Sequence, residues 1–404
     1  MARRNVLGSA ASDITEDVSL PAPLRILVIC YEWPPVGGGG GRVAADIARG
    51  LGRRGHEVLA VTSALKGLSA NETVDGISVH RWYAGRHRAD RCTVPEMGAY
   101  VLTHLFPSLL ESLRFCPHVV HVHFAVPSGV PAWFATRFTR TPYVLTVHLG
   151  DVPGGVPEQT DHLYKIVKPF TVPIWRSAAA VTAVAPHVAM LAERAYGIKP
   201  RVILNGSDVT ISSREESRGM GEPLRLIWCG RIQQQKNLGN AIAALSSIAG
   251  LPWTLDVLGD GPLRAAAEEC CRSAKLTGQI FFRGWLTPDK VASEFGKADV
   301  LFLPSVTEGL SLVTVEALRA GLAFVASRIP GIADVVIDGQ NGILCEPRAL
   351  AGFAAAIATL IENRAMLRLM QAASLQRASL FGTARMVDAY EEVLASVVRN
   401  SVSR

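Results

Sequence analysis

Two glutamates, Glu308 and Glu316, stand with seven residues between them at the exit of an apolar run. Residues 298–303 read as a buried strand. Ser311 stands where it can cap a helix that Gly321 stops. Glu308 then falls in the loop and Glu316 about one turn inside the helix. The start of such a helix offers free N–H groups and a positive dipole end, which suits a phosphate. The backbone of Gly309, Leu310, Ser311, Leu312 and Val313 is placed to meet phosphate or sugar oxygens. Carboxylates beside an anion site must face hydroxyls or cations. A sugar nucleotide supplies that mixture, a diphosphate between two hydroxylated rings. Upstream, Arg231 follows another apolar run and Lys236 comes five residues later. The pair suits two phosphates: Arg grips oxygens bidentately and Lys adds a point charge. The same cations would stabilise charge building on a departing nucleoside diphosphate.

Other polar residues are placed at strand ends. His148 follows the apolar run 143–147 and opens a loop with Asp151. Its ordinary pKa near neutrality would allow a role in proton movement. His121 and His123 alternate, so they share one face of a strand. Third and fourth metal ligands are missing there, and His123, nearer the strand end, is the one expected to line a cleft. Glycines fill positions 37 to 41, permitting left-handed backbone and close ligand approach. A strict Gly-x-Gly-x-x-Gly fits the run in no register. The relaxed form over Gly39, Gly41 and Ala44 leads to a second strand ending in Thr62-Ser63-Ala64. No acid waits there for the ribose of NAD. No Asp-x-Asp occurs in the chain, so the cations and helix end would do the work of a divalent ion.

The elements that must hold these residues alternate as β and α. Strands are expected at 24–30, 57–62, 119–122, 143–147, 181–184 and 201–204, with helices at 42–54, 97–114, 127–139, 158–176 and 185–196. A polar stretch, 205–223, interrupts the pattern. Strands at 224–229, 253–258, 279–282, 299–303 and 322–327 follow, then helices at 349–361, 364–379 and 383–398. This is an α/β chain of two Rossmann-like doubly wound domains facing a central cleft. At 404 residues it suits two cores. The expected division is a disordered leader over 1–23, a first domain over 24–205, a linker over 206–223, a second domain over 224–380 and a C-terminal helix over 381–404. The leader lacks an apolar signal segment, and no apolar run reaches the ~18 residues of a membrane span. Seven scattered cysteines without Cys-x-x-Cys fit a reducing, cytoplasmic setting. Net charge is +6, without a nucleic-acid recognition motif. Arg81, Arg86, Arg88 and Arg91 interleave with Trp82, Tyr83 and His87. They read either as a patch for an anionic acceptor or for anionic lipid at the inner face of a membrane, or as a solvated loop.

Read together, the Glu-x7-Glu stretch, Gly230-Arg231 with Lys236-Asn237, Asn205-Gly206-Ser207-Asp208, Leu258-Gly259-Asp260-Gly261-Pro262, the glycines 37–41 and His148-Leu149-Gly150-Asp151 resemble, in order, the retaining glycosyltransferases of the family-4 type, which have the GT-B fold. The resemblance covers nearly everything from residue 24 onward. It implies that Glu316 holds nucleotide ribose hydroxyls and that Glu308 and His148 face the transferred sugar. Glu308 would act as nucleophile or, as we expect, as an orienting group in same-face attack. It also implies that Gly40 and Gly41 approach the donor phosphate, with Gly38, Gly39, His123 and Asp151 on the acceptor side. The final helix would cross back onto the first domain. The family usually has Phe and Gly where Leu310 and Ser311 stand. The implied enzyme is a metal-independent hexosyl- or N-acetylhexosaminyl-transferase without a cofactor. Its donor would be a UDP- or GDP-sugar and its acceptor a polysaccharide, lipid-linked oligosaccharide or glycolipid. A non-catalytic sugar-nucleotide binder, an NAD-dependent oxidoreductase on the same architecture and a sugar phosphorylase are the rivals.

Overall fold

The structure, a computed structural model, describes residues 23–209 and 221–402. The leader expected over 1–23, apart from Pro23, and the middle of the linker expected over 206–223 lie outside those residues. Two sheets organise the chain. The first carries β1 (Arg25–Ile29), β2 (Glu57–Ser63), β3 (Asn71–Val74), β4 (Ile77–Trp82), β5 (Val119–His123), β6 (Tyr143–Val147), β7 (Ala180–Ala183) and β8 (Arg201–Val202), in the order β3-β4-β2-β1-β5-β6-β7-β8. The second carries β9 (Leu224–Cys229), β10 (Trp253–Leu258), β11 (Ile280–Gly284), β12 (Val300–Leu303), β13 (Ala323–Ser327) and β14 (Gly342–Cys345), in the order β11-β10-β9-β12-β13-β14. All pairings are parallel except β3 with β4. Helices cover both faces, which is why β1, β5, β6, β12 and β13 are nearly continuous apolar runs with almost every residue buried.

Each sheet reverses its winding once, between β1 and β5 and between β9 and β12. Strands at such a reversal leave a crevice beyond their C-terminal ends, because their crossovers depart in opposite directions. The register Ile29↔Val122 sets the exits of β1 and β5 side by side. The register Leu301↔Ile227 does the same for β12 and β9.

The helix Thr383–Val402 belongs to the first domain's core although it ends the chain. Its Val387, Tyr390, Leu394 and Val397 pack with Val43, Ile47 and Leu51 of the helix Gly39–Arg53. Arg54 meets Asp388 and Glu391, and His56 meets Glu391 at 2.9 Å.

Three elements depart from the sequence expectations. The hairpin β3–β4 was not expected; only its last residues, Arg81 and Trp82, fall in the basic patch. Its turn is Asp75-Gly76, both with positive φ (53° and 82°). β14 was not expected. The glycines at 39 to 41 are not loop: they form the first turn of the helix Gly39–Arg53, and of the run only Gly37 has positive φ (102°).

Candidate active site

The two switch points face each other and bring the expected residues to one cleft. From β9 come Gly230, Arg231 and Lys236; from β12 come Glu308 and the helix Leu312–Arg319. From the first domain come the glycine turn after β1 and the His148 loop after β6.

The Lys236 ammonium lies 2.5 Å from Glu308 Oε1, and the Ser305 hydroxyl donates to the same oxygen at 2.7 Å. Glu308 is buried, so the two donors hold its carboxylate in one orientation. Its loop is backed by Gly331, where a Cβ would stand 2.0 Å from Gly309 O and 2.4 Å from Glu308 O. Only hydrogen fits there. Gly309 in turn approaches the first domain, 3.5 Å from Leu149 Cβ by the same construction. Ser311 occupies the N-cap of Leu312–Arg319, but its hydroxyl caps nothing; its carbonyl accepts from Thr314 and Val315. The Leu312 and Val313 N–H groups have no intrahelical acceptor and point out of the helix end.

Arg231 is half-buried and binds Asp90 O at a long 3.4 Å, while its Nε has no partner. Burial pushes its pKa down, Asp90 opposes the shift, and Arg91 and Arg88 add to it. It is a desolvated cation whose hydrogen bond is to a backbone carbonyl. Arg231 lines a cavity of about 510 Å³ between the domains, with Gly37, Asp90 and Arg91 on one wall and Gly261 and Trp285 on the other. Trp285 is exposed at the mouth, whereas Trp228 and Trp253 are core.

Glu316 does not face solvent. It is buried and receives Arg42 at 2.5 Å from across the cleft, with the Ser207 hydroxyl also bonded to it. Burial raises its pKa and Arg42 opposes the rise. Asn205 Nδ2 donates to Leu310 O at 2.9 Å, tying the interdomain segment to the same loop. Gly39 lies opposite Leu312: a Cβ on it would meet only Leu312 Cδ1, at 3.9 Å. Gly38 N–H donates to Glu32 Oε2 at 2.9 Å. Gly40 packs under Phe124, and Gly41 packs on Glu32.

His148 stacks on Phe124 with ring centroids 4.2 Å apart. Phe124 holds φ at 73°, a left-handed conformation unfavourable for an aromatic residue. Burial pushes the His148 imidazole down to about 4. It therefore stays neutral near pH 7, and the expected titration near neutrality is corrected. His123 is also corrected. It has no exposed surface, lies behind His148 at 5.8 Å, and reaches no cleft wall. Asp151 is buried as a brace, its Oδ2 accepting from His148 N–H at 2.8 Å and its Oδ1 from Val126 N–H.

The basic patch expected at 81–91 divides. Arg81 is buried against Glu72, and Arg86 is buried on the carbonyls of Arg88 and Ala89. These two brace the β1 loop and β4 and offer no charge to a surface. Arg88 is exposed, and Arg91 faces the cavity.

The comparisons with known proteins bear on both halves. Residues 38–206 match the family model described as Glycosyl transferase 4-like domain, and residues 223–363 match the one described as Glycosyl transferases group 1. The chain is a GT-B glycosyltransferase. It is 27% identical to the glycogen synthase of Mycobacterium tuberculosis over 88% of this chain and 90% of that one. It is 24% identical to the N-acetyl-alpha-D-glucosaminyl L-malate synthase of Bacillus anthracis, over 93% and 98%. Its fold is similar to sucrose-phosphate synthase from Thermosynechococcus elongatus, with a TM-score of 0.79 at 19% identity, covering 92% of this chain and 100% of that one. It is also similar to Anabaena HepE in complex with UDP and glucose, with a TM-score of 0.73 at 20% identity and coverage of 92% and 100%.

Three cleft residues of this glycosyltransferase were not singled out from sequence: Arg42, Glu32 and Phe124. The Arg next to the glycine run was the signal for Arg42. Nothing in the sequence marks Phe124, because its role follows from contacts distant along the chain.

Proposed function

We propose that this glycosyltransferase is retaining and metal-independent, and that it moves a sugar from a nucleoside-diphosphate sugar to a hydroxyl of a glycan or glycolipid. The observation that carries the reading is the grouping at one strand reversal. Arg231 and Lys236 leave β9 while Glu308 and a free helix N-terminus leave its neighbour β12. Two cations and a ring of N–H donors suit a diphosphate. The carboxylates of Glu308 and Glu316 beside them suit hydroxyls on either side. HepE holds UDP and glucose, and starch synthase IV of Arabidopsis thaliana holds ADP and acarbose, which supports a donor of this class.

In the reaction, the acceptor oxygen bonds to the anomeric carbon on the face from which the diphosphate leaves. The bond from that carbon to the phosphate oxygen breaks, and its electron pair goes to the diphosphate. The acceptor proton passes to a departing phosphate oxygen. Arg231 and Lys236 stabilise the charge that builds there. Lys236 is shared with Glu308, so the same ammonium links leaving group and sugar-facing carboxylate. Glu308, fixed by Lys236 and Ser305, orients the sugar and stabilises positive charge at its anomeric carbon. His148, kept neutral by burial, donates or accepts a hydrogen bond to sugar hydroxyls.

A thermal-shift panel of UDP, GDP, ADP and their sugar conjugates, with and without EDTA, tests the proposal. One nucleotide class should raise Tm equally in EDTA. Arg231→Ala should weaken that binding roughly ten- to hundredfold, the equivalent of losing a charge-assisted contact of about 1.5–3 kcal/mol. It should leave the ligand-free Tm unchanged, because Arg231 makes no ion pair. A shift with NAD(P) and none with any nucleotide diphosphate would overturn the reading. A shift abolished by EDTA would overturn its metal-free part.

A further inference from the structure

One helix of the first domain is built inside out. The helix Val94–Phe115 buries Tyr100, His104, Ser108, Glu111 and Ser112. Two of these polar groups are held from the sheet: His104 Nε2 lies 3.3 Å from Thr62 O, and Glu111 lies 3.1 Å from His80. The same helix leaves Leu102 73%, Phe106 72% and Leu113 58% exposed. An amphipathic helix in water turns the other way, with its apolar stripe on the core.

The apolar surface continues onto the next helix, and the helix after it exposes apolar residues of its own. Phe106 meets Phe134 of Gly129–Thr139 at 6.1 Å between ring centroids, and Phe134 meets the exposed Phe138 at 4.9 Å. The helix Pro157–Ser177 packs on Gly129–Thr139 and exposes Ile166 and Phe170, one turn apart. Singly exposed apolar residues are ordinary, but a continuous group on adjoining helices marks an interaction surface.

Glu96, Glu158 and Asp161 stand near the starts of the first and third helices, but toward the C-terminal ends of all three the exposed charge is positive. From residue 97 to 156 the only acids are Glu111 and Asp151, both buried, and from 164 to 192 there are none. Arg114, Arg137 and Arg176 lie in the last turns of the three helices and are exposed, with Arg140 and Lys165 exposed beside them. In a parallel α/β layer the helix C-termini lie at the end away from the cleft, so the arginines gather at the edge opposite the active site.

We propose that this three-helix face lies on an anionic lipid bilayer, with its leucine and phenylalanine side chains in the headgroup boundary and the helix-end arginines on lipid phosphates. No single described helix is long and apolar enough to cross a membrane, and the contact proposed is one of surface. A second copy of the chain would bring the same cations to the contact, with acids only near the helix starts, away from the arginines at the helix ends. A bilayer provides both the anions and the apolar boundary. The basic patch at 81–91, half of it buried, plays no part.

Flotation with phosphatidylcholine vesicles, with and without phosphatidylglycerol and in the absence of any donor, tests the face independently of transfer. The wild-type protein should float with the anionic vesicles at least about tenfold better than with the neutral ones, and salt should weaken the binding. Phe106→Ser/Phe138→Ser/Phe170→Ser should reduce the bound fraction about tenfold. Should that variant fold poorly, Arg137→Glu/Arg140→Glu/Arg176→Glu reads the same contact from its charged side. The proposal is overturned if wild type ignores anionic vesicles, or if both variants float like wild type. It is also overturned if light scattering shows a dimer that the phenylalanine variant dissolves while no vesicle binding is seen.

Discussion

His148, His123 and His121 form a column of imidazoles running inward from the cleft, with centroids 5.8 Å and then 4.3 Å apart. Burial pushes His148 to about 4, His121 to about 3 and His123 well below its ordinary value; His148 also disfavours charge on His121, and both disfavour it on His123. A depressed folded-state pKa contributes stability above the unfolded value near 6.5 and loses it as pH falls through the folded value. Asp151 beside them has the opposite sign. Burial pushes it up to about 7, against backbone N–H donors from His148, Val126 and Ala125. Its contribution is therefore largest at low pH and is lost as pH rises toward 7. Tyr390, the other titratable group facing His121, stays neutral throughout because burial raises its pKa. Three losses against one gain predict that Tm falls as pH drops from 7 to 4. The slope contributed here is on the order of 1–3 kcal/mol per pH unit. His123→Leu should flatten it. A Tm independent of pH across that window, in wild type, would refute the assignment of neutral buried imidazoles.

The helix Gly39–Arg53 shows what a local pattern reveals and what it hides. The glycine run after the first strand reads as permitting close ligand approach; what stands against Gly41 is protein, the nearby Glu32, while Gly39 has open space. At Gly41 a Cβ would stand 2.8 Å from Glu32 Cβ and 3.0 Å from the Glu32 backbone, which cannot swing aside. At Gly39 nothing but Leu312 Cδ1 lies within reach, at 3.9 Å. Gly41→Ala should therefore destabilise the protein by roughly 1–3 kcal/mol, the usual cost of overpacking. Gly39→Ala should be neutral within about 0.5 kcal/mol yet impair donor turnover, since it crowds the helix end of the second domain. Chemical denaturation and initial rates separate the two; a destabilised Gly39→Ala with normal turnover would show that Gly39 serves packing alone. What a local pattern hides explains the other departures. The β/α alternation was legible because parallel strands buried on both faces are uninterrupted apolar runs. The β3–β4 hairpin was hidden because an edge strand reads Asn71-Glu72-Thr73-Val74, half polar, although its Asp75-Gly76 turn was on view. The helix Val94–Phe115 was found, but periodicity could not tell that its polar stripe, not its apolar one, faces the sheet. Arg42 with Glu316 joins residues 274 apart, a relation no local spacing encodes.

At the scale of the whole molecule, the last described helix completes the core of the first domain. Tyr390 and Leu394 have no exposed surface and stand among Val43, Ile47 and Leu51, residues contributed some 340 positions earlier. Val387 fills the space over Gly50 so closely that a Cβ there would lie 2.3 Å from Val387 Cγ2. Met386, one turn before Tyr390, has its sulfur 3.2 Å from Gly206 N. The final helix thus touches the interdomain segment at its start and the first-domain core along its length. This packing couples the two domains: whatever loosens the last helix loosens the first domain and the segment that positions Leu310. Leu394→Ala should cost about 2–5 kcal/mol, the range for emptying a buried leucine site. Hydrogen exchange should then show protection lost in Gly39–Arg53 and β5, with β9, β10 and β12 keeping theirs. Donor affinity measured in the folded population should fall modestly, because Arg42 and Asn205 hold Glu316 and Leu310 while Arg231, Lys236 and Glu308 stay on the second domain. Loss of protection confined to the second sheet, or spread evenly through both, would mean that the helix belongs energetically to the domain that precedes it in sequence and not to the one it packs on.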